Sequence, residues 1–349
     1  MIPVGQPYRT VQREGATLRL RTARVAEAAG DATVVLRPDV VGVCRSDLRE
    51  LADDRYLRRD FGHEIVGRVV AVQPDGLFPP GARVVYDPHP RLERTCGFAD
   101  LVELSGASHA LRSALVPVPE PVAPLAAVFA EPLACAVHCV RKLTAESEAR
   151  GLRHDSPVAV IGAGMAGALI AAVLSAGNVP VRLLNRGTQR LEFLRSKGFL
   201  PARAVDGGAD GQRFPRVVLA TATATPEMLS RAVESAQPDG LLVLFAGTGP
   251  DTTLFGQPLD RVRRDEQVVS VMAGWRALTV AGTHGALAED FRDSLALLSP
   301  AHPAALARRV EQLVTDLLTL EEAVDVLPRR IHDGFLGKAV VRFPHYCLE

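Results

Sequence analysis

The stretch Val158-Ala159-Val160-Ile161-Gly162-Ala163-Gly164-Met165-Ala166-Gly167 decides the fold. Four apolar residues run straight into three glycines at G-x-G-x-x-G spacing, and a largely apolar run to Ala176 follows. This reads as a buried strand, a tight turn and a buried helix. Gly162 permits the turn, Gly164 lets the backbone approach a pyrophosphate, and Gly167 lets the helix pack against the strand. The helix start adds free N–H groups and the positive end of the helix dipole. Gly162, Gly164, Met165, Ala166 and Gly167 are therefore the expected dinucleotide contacts. The uncharged segment from Ser156 to Val181 is long enough to attract a membrane-spanning reading. Pro157, Pro180 and the glycines interrupt it, which favours the strand–turn–helix reading.

Outward from this stretch the texture differs on the two sides. Upstream, to about residue 110, β-branched runs alternate with turn residues: Ala32–Leu36, Ile65–Val72 and Arg83–Tyr86, punctuated by Asp75-Gly76 and Pro79-Pro80-Gly81. This predicts a mainly antiparallel β domain. Downstream, strands expected at 157–161, 181–184, 216–220, 241–245, 268–271 and 279–281 alternate with helices such as 188–197 and 226–236, as in a parallel doubly wound sheet. Helices are expected at 304–318 and from Leu320, and Gly337–Arg342 reads as a strand returning to the first domain. The fold class is thus α/β: a Rossmann doubly wound sheet plus a β-rich domain. The expected division is 1–150 for the β-rich part, 151–295 for the dinucleotide part, and 296–349 for the returning segment.

The second strand ends at Leu184, where a carboxylate would accept from the ribose 2′-hydroxyl of NAD. This chain has Asn185-Arg186-Gly187-Thr188-Gln189-Arg190 instead. Two guanidiniums stand where a 2′-phosphate would sit, and arginine holds phosphate in a bidentate fork. NADP is favoured over NAD, with Asn185, Arg186 and Arg190 as further cofactor residues.

Cys44, Gly62-His63-Glu64 and Glu131-Pro132-Leu133 supply a thiolate, an imidazole and two carboxylates. Zinc takes these donors tetrahedrally, and a catalytic site leaves one position open. Cys44, His63 and Glu131 are expected to hold one catalytic Zn²⁺, with Glu64 as an exchanging ligand or a partner of bound water; which glutamate is the resting ligand is open. A thiolate and one carboxylate formally neutralise the ion, so burial strands no net charge. Cys135 and Cys139, one helical turn apart beside His138, read as helix core rather than as a second metal site. His284 reads as a loop histidine, and Trp275, the only tryptophan, has no assignable role.

Composition narrows the partners. Of 349 residues, 40 are basic and 40 acidic, so no basic field draws nucleic acid or an anionic membrane. Five scattered cysteines form no disulfide framework and the N-terminus lacks a signal-peptide layout, which implies a cytoplasmic protein.

The chain resembles a zinc-dependent medium-chain dehydrogenase/reductase of the alcohol and polyol dehydrogenase group over nearly its whole length. The resemblance rests on Val41–Asp47, Gly62–Gly67, Gly81–Val84, Glu131–His138, the Gly162–Gly167 turn and Gly337-Lys338. It implies a GroES-like catalytic domain, Cys44 and His63 as zinc ligands, and Glu131 in the third-ligand position of polyol-type members. It also implies that Ser46 passes the substrate proton, Asp47 orients the ligand histidine, and Arg45 reaches the cofactor pyrophosphate. The implied reaction is hydride transfer between a nicotinamide cofactor and a secondary alcohol or ketone, with a polyol, sugar or cyclitol-like substrate and a homodimeric or homotetrameric assembly. The alternatives are a zinc-free NADPH-dependent double-bond reductase on the same scaffold and a non-catalytic dinucleotide-binding protein. The chain departs from the group in three ways. Only Cys96 lies between Glu64 and Glu131, in a shortened Tyr86–Thr95 loop, so no structural zinc is expected. The charged run Arg49, Glu50, Asp53, Asp54, Arg55, Arg58, Arg59, Asp60 suggests an altered substrate entrance. Arg49 stands where some members carry a relay histidine, so a relay beyond Ser46 would end in water or the ribose.

Overall fold

The computed structural model describes residues 3–15, 17–28, 30–53, 61–205, 211–274 and 276–344. Most of the charged run (Asp54, Arg55, Arg58, Arg59, Asp60), together with Trp275 and Cys347, lies outside the described residues. The chain divides into two compact units, Met1–Glu131 with Phe291–Glu349, and Pro132–Asp290.

In the first unit an eight-stranded sheet runs in the order Val314–Leu318, Lys338–Arg342, Ala32–Gly42, Glu64–Gln73, Arg83–Tyr86, Leu115–Pro117. Val102–Gly106 also pairs with Ala32–Gly42, and Glu93–Arg94 pairs with Val102–Gly106. Its core is aliphatic and aromatic, including Leu36, Ile65, Val69, Val84, Phe98 and Leu104. Register explains how distant residues meet. Gly42 lies opposite Glu64 in the antiparallel ladder, so Cys44 and His63 emerge at the same end of two neighbouring strands. On the other side Val340 lies opposite Gly42, which brings Lys338 to that end as well. Gly42 makes room for what gathers there. A Cβ at this position would lie 2.1 Å from Glu64 Oε2 and 2.9 Å from Lys338 Cε.

The helix expected over 304–318 is replaced by a short helix, Ala307–Glu311, and a strand, Val314–Leu318. That strand pairs in parallel with Lys338–Arg342. Pairing at a sheet edge overrides the helix-like spacing of Leu313 and Leu317, as tertiary context commonly does for short apolar segments. The next helix, Leu320–Arg329, starts at a capping box in which Thr319 accepts from the Glu322 N–H and Glu322 accepts from the Thr319 N–H.

The second unit is built on a six-stranded sheet ordered Val181–Leu184, Val158–Ile161, Phe214–Leu219, Ala236–Leu244, Arg276–Gly282, Val268–Ala273. The first five are parallel, and apolar runs such as Val158–Ile161 and Leu241–Leu244 fit strands covered on both faces. Chain order reverses around Val158–Ile161, so the switch point of the sheet lies at the carboxyl end of that strand. The last strand does not continue the parallel pattern. Val268–Ala273 pairs antiparallel with Arg276–Gly282, because the two residues between them allow only a hairpin, whereas a parallel crossover needs a dozen or more.

A charged cluster ties together separate parts of this unit. His138 Nδ1 and Nε2 lie 2.8 Å from Asp290 Oδ2 and 2.8 Å from Glu266 Oε1. Asp290 is fully buried and also meets Arg141 at 2.7 Å. Hydrogen bonds to Asp290 and Glu266 raise the His138 pKa from 6.5 to about 9 despite burial. A folded-state pKa raised in this way gives stability that is complete below pH 6.5 and is lost as pH rises through about 9. In urea denaturation from pH 6 to 10, the wild-type advantage over His138→Gln is expected to shrink across that upper range. A difference independent of pH would contradict the charged pairing.

Candidate functional site

In the first unit, Cys44 precedes the short helix Arg45–Leu51 and His63 precedes the strand Glu64–Gln73. One carboxylate joins the two segments. Asp47 Oδ2 accepts from the Cys44 N–H at 2.9 Å, and Oδ1 accepts from the Gly62 N–H at 3.1 Å. Asp47 Oδ1 also lies 3.5 Å from His63 Nδ1, beyond the range of a well-formed hydrogen bond. Burial works to raise the Asp47 pKa, but the His63 charge and these N–H donors outweigh it and hold the carboxyl below its usual range. Burial likewise opposes the His63 imidazolium, and the Asp47 and Cys44 charges overcome it, raising that pKa well above 6.5.

Ligand atoms of Cys44, His63 and Glu64 lie within 4.8 Å of one another. A thiolate, an imidazole and a carboxylate at that spacing fit the donor chemistry of zinc. With Nδ1 turned toward Asp47, Nε2 is the ring nitrogen left for a metal, the usual division of labour of a ligating histidine. The Ser46 hydroxyl is buried and has no hydrogen-bond partner among the described residues. Such a group is rarely left orphaned in a folded protein unless a ligand or water completes it.

Glu131, half-buried at the start of the helix Ala130–Glu148, is outside this group of three, although its charge acts on both Glu64 and Lys338. The Glu64 carboxylate pairs with the buried Lys338 ammonium. Burial raises the Glu64 pKa, and the Lys338 charge only partly offsets it. Sequence reading did not anticipate Lys338 as this partner. Its signal was the closing Gly337-Lys338, whose lysine reads as a solvated residue until the strand register brings it inward. Arg45 is exposed, and its Nη2 donates to the His332 carbonyl at 2.9 Å.

In the second unit, the glycines divide as their spacing implies. Gly162 has φ +111°, and a Cβ there would sit 2.9 Å from the Ala220 backbone. A Cβ on Gly167 would lie 1.8 Å from the Gly162 carbonyl oxygen. Gly164 is different: among the described residues, chain neighbours aside, only Arg190 Nη1 comes within 4 Å of such a Cβ, at 3.9 Å. Gly164 therefore leaves room that the protein does not fill. The helix it precedes, Met165–Ala176, receives no N-cap side-chain hydrogen bond, with Met165 and Ala166 at its start. Asn185 is held in place, accepting from the Ala163 N–H at 3.1 Å and donating to the Gly187 carbonyl at 2.8 Å. Arg186 is exposed, with Nη1 3.9 Å from Glu227 Oε2.

The residues set aside from the sequence have other occupations. Both His138 ring nitrogens face carboxylates, and Cys139 is buried with its pKa pushed up by desolvation, which suits core packing. The His284 backbone N–H donates to Glu266 at 2.8 Å.

Residues 30–120 match the alcohol dehydrogenase GroES-like domain. No curated protein sequence matches significantly. Among solved structures, the chain is similar to 2R,3R-butanediol dehydrogenase from Bacillus subtilis, at 18% identity and TM-score 0.68, covering 96% of this chain and 99% of that one. It is similar to galactitol-1-phosphate dehydrogenase from Escherichia coli, at 17% identity and TM-score 0.69, covering 97% and 100%. It is also similar to S. aureus TarJ in complex with NADPH, at 17% identity and TM-score 0.68, covering 97% and 99%. At these identities the likeness establishes a shared fold. Among the described residues, no helix is long and apolar enough to cross a membrane.

The contrast between the glycines gives a direct test. Gly164→Val is expected to keep the thermal midpoint close to wild type while abolishing binding of a reduced dinucleotide, followed by its fluorescence. Gly167→Ala is expected to lower the midpoint itself, because its Cβ cannot be placed without moving backbone. Unchanged dinucleotide binding in Gly164→Val would show that the space has another use.

Proposed function

We propose that the chain is a zinc-dependent enzyme of the medium-chain dehydrogenase/reductase group that interconverts a secondary alcohol and its ketone using NADP, a reading supported by the GroES-like match over residues 30–120 and by the shared fold. The proposed substrate is a polyol, a sugar or a cyclitol-like compound. The observation that carries this reading is the Cys44–His63–Glu64 group, with ligand atoms within 4.8 Å, in the same unit as the orphaned Ser46 hydroxyl.

Zinc held by Cys44 and His63, with Glu64 or Glu131 as the carboxylate ligand, would act as a Lewis acid on the alcohol oxygen. The rest falls to the chain's own side chains. Asp47 fixes the backbone of Cys44 and Gly62, and so keeps the thiolate and imidazole converged. Its negative charge also supports a basic, well-oriented imidazole. Lys338 compensates the carboxylate of Glu64, which would otherwise stand as an isolated buried charge. Ser46 is the proposed carrier of the alcohol proton, because its hydroxyl can donate and accept and has no protein partner to give up. A bound nicotinamide cofactor would supply the hydride acceptor or donor for the carbinol carbon.

Coenzyme preference is assigned to Asn185, Arg186 and Arg190. Asn185 brings no negative charge to repel a 2′-phosphate, and Arg190 Nη1 would lie 3.9 Å from a Cβ placed on Gly164. Arg186 is free to reach outward, since an exposed pair at 3.9 Å from Glu227 holds it weakly. Arg45 is the proposed pyrophosphate arginine. A cytoplasmic location and a homodimer or homotetramer belong to the same proposal. The outermost strand Val268–Ala273 carries no charged residue and exposes Met272, which supports self-association.

Initial rates with a panel of secondary alcohols and ketones, read through NADPH absorbance, test the activity. Turnover is expected with NADP in preference to NAD. Arg186→Ala should weaken NADP by about 1.5–3 kcal/mol for each charge-assisted hydrogen bond lost, with little change for NAD. Ser46→Ala should cut turnover ~10²–10⁴-fold, and Ser46→Thr should retain part of it. A wild-type preference for NAD, or near-normal turnover in Ser46→Ala, would overturn the corresponding assignment.

A further inference from the structure

The histidine of the metal site follows a weak link in the chain. Gly62 sits at φ +69°, a left-handed conformation, and without a side chain its peptide planes have little intrinsic restraint. Asp47 holds one of these planes through the Gly62 N–H, leaving the Gly62–His63 plane to be fixed by something else. Arg94 does this. Its Nη1 donates to the Gly62 carbonyl at 3.0 Å and to the Thr95 carbonyl at 3.0 Å, and its Nη2 lies 3.4 Å from the Phe61 carbonyl. The guanidinium also stacks 5.2 Å from the Tyr86 ring centroid. The Gly97 N–H donates to the Phe61 carbonyl at 2.8 Å, and the Phe61 and Phe98 rings meet edge to face at 5.4 Å. Gly97 allows this close approach, since a Cβ there would lie 1.8 Å from the Gly62 carbonyl oxygen.

We propose that Arg94 is a positioning residue of the metal centre, holding two successive peptide planes so that His63 leaves the backbone in the direction the metal requires. The proposal rests on the metal reading given above. The oxygen of Gly62 and the nitrogen of His63 share one rigid plane, so anchoring that oxygen limits the swing of the imidazole. Arginine suits the task because one planar fork can reach both carbonyls, whereas lysine offers a point charge for one at a time. Arg94 lies on the shortened Tyr86–Thr95 loop, and Gly97 follows it closely. Together they support the site with a guanidinium and a close backbone contact.

Cobalt(II) titration of metal-free protein, read by its visible absorption, tests this without depending on turnover. Wild-type protein is expected to bind one cobalt with a thiolate charge-transfer band. Arg94→Met should bind about 10–100-fold more weakly, the usual cost of losing a group that orients a ligand, and should show an altered d–d envelope. Arg94→Lys should recover part of the affinity. A role confined to stability would lower the thermal midpoint but leave cobalt affinity and spectrum as in wild type, and that result in folded Arg94→Met would overturn the proposal. If Arg94→Met does not fold, Arg94→Lys decides: weaker binding than wild type supports the proposal, and identical binding overturns it. Wild-type protein that binds no cobalt would remove the metal reading and this proposal together, whereas binding unaffected by either variant would remove only the proposal.

Discussion

The buried carboxylate of Asp47 is the constraint on which the candidate metal centre depends. It accepts from the backbone of Cys44 and from that of Gly62, segments that meet only because the strands Ala32–Gly42 and Glu64–Gln73 pair in one register. A shift of one residue in that ladder would turn Glu64 away and separate the thiol from the imidazole. The carboxylate would be costly in this place by itself. It is sustained by two N–H donors and by the nearby imidazole, which together hold its pKa low against burial. Buried charges gather at this end of the sheet in opposite pairs, Asp47 with His63 and Glu64 with Lys338. Gly42 gives the second pair its space.

Much of this was legible in the sequence, for particular reasons. The run from Val158 to Gly167 has one economical physical reading, and Gly162 and Gly167 are each required by a backbone contact that any side chain would obstruct. Cys44, His63, Glu131 and Glu64 were legible as a donor set because the chemistry of zinc restricts the residue types, whereas the structure groups only Cys44, His63 and Glu64. Residues that act through long-range register were not legible. Lys338 reaches Glu64 across 274 positions of sequence, and Arg94 reaches the Gly62 carbonyl across 32. Neither has a local pattern that separates it from a solvated cation. The strand Val314–Leu318 was hidden in the same way, since its partner lies beyond the following helix. The antiparallel edge strand Val268–Ala273 was readable in principle, because two residues cannot make a crossover.

The dinucleotide unit carries its own balance between what is fixed and what is left open. Gly162, Gly167 and Asn185 are committed to the protein by backbone contacts and hydrogen bonds. By contrast, a Cβ on Gly164 would meet only Arg190 Nη1 among the described residues, and the helix Met165–Ala176 has no N-cap side-chain hydrogen bond. Anion recognition by a helix start is strongest when no side chain has already taken its N–H groups. In the proposed reading, the two guanidiniums after Leu184 would add a charge requirement that a neutral 2′-hydroxyl does not meet.

The central claim is that Cys44, His63 and a neighbouring carboxylate hold one catalytic zinc. Elemental analysis of the full-length protein, purified without chelator after zinc-replete expression, tests it most directly. The account predicts one zinc per chain. No zinc, or two per chain, would contradict it.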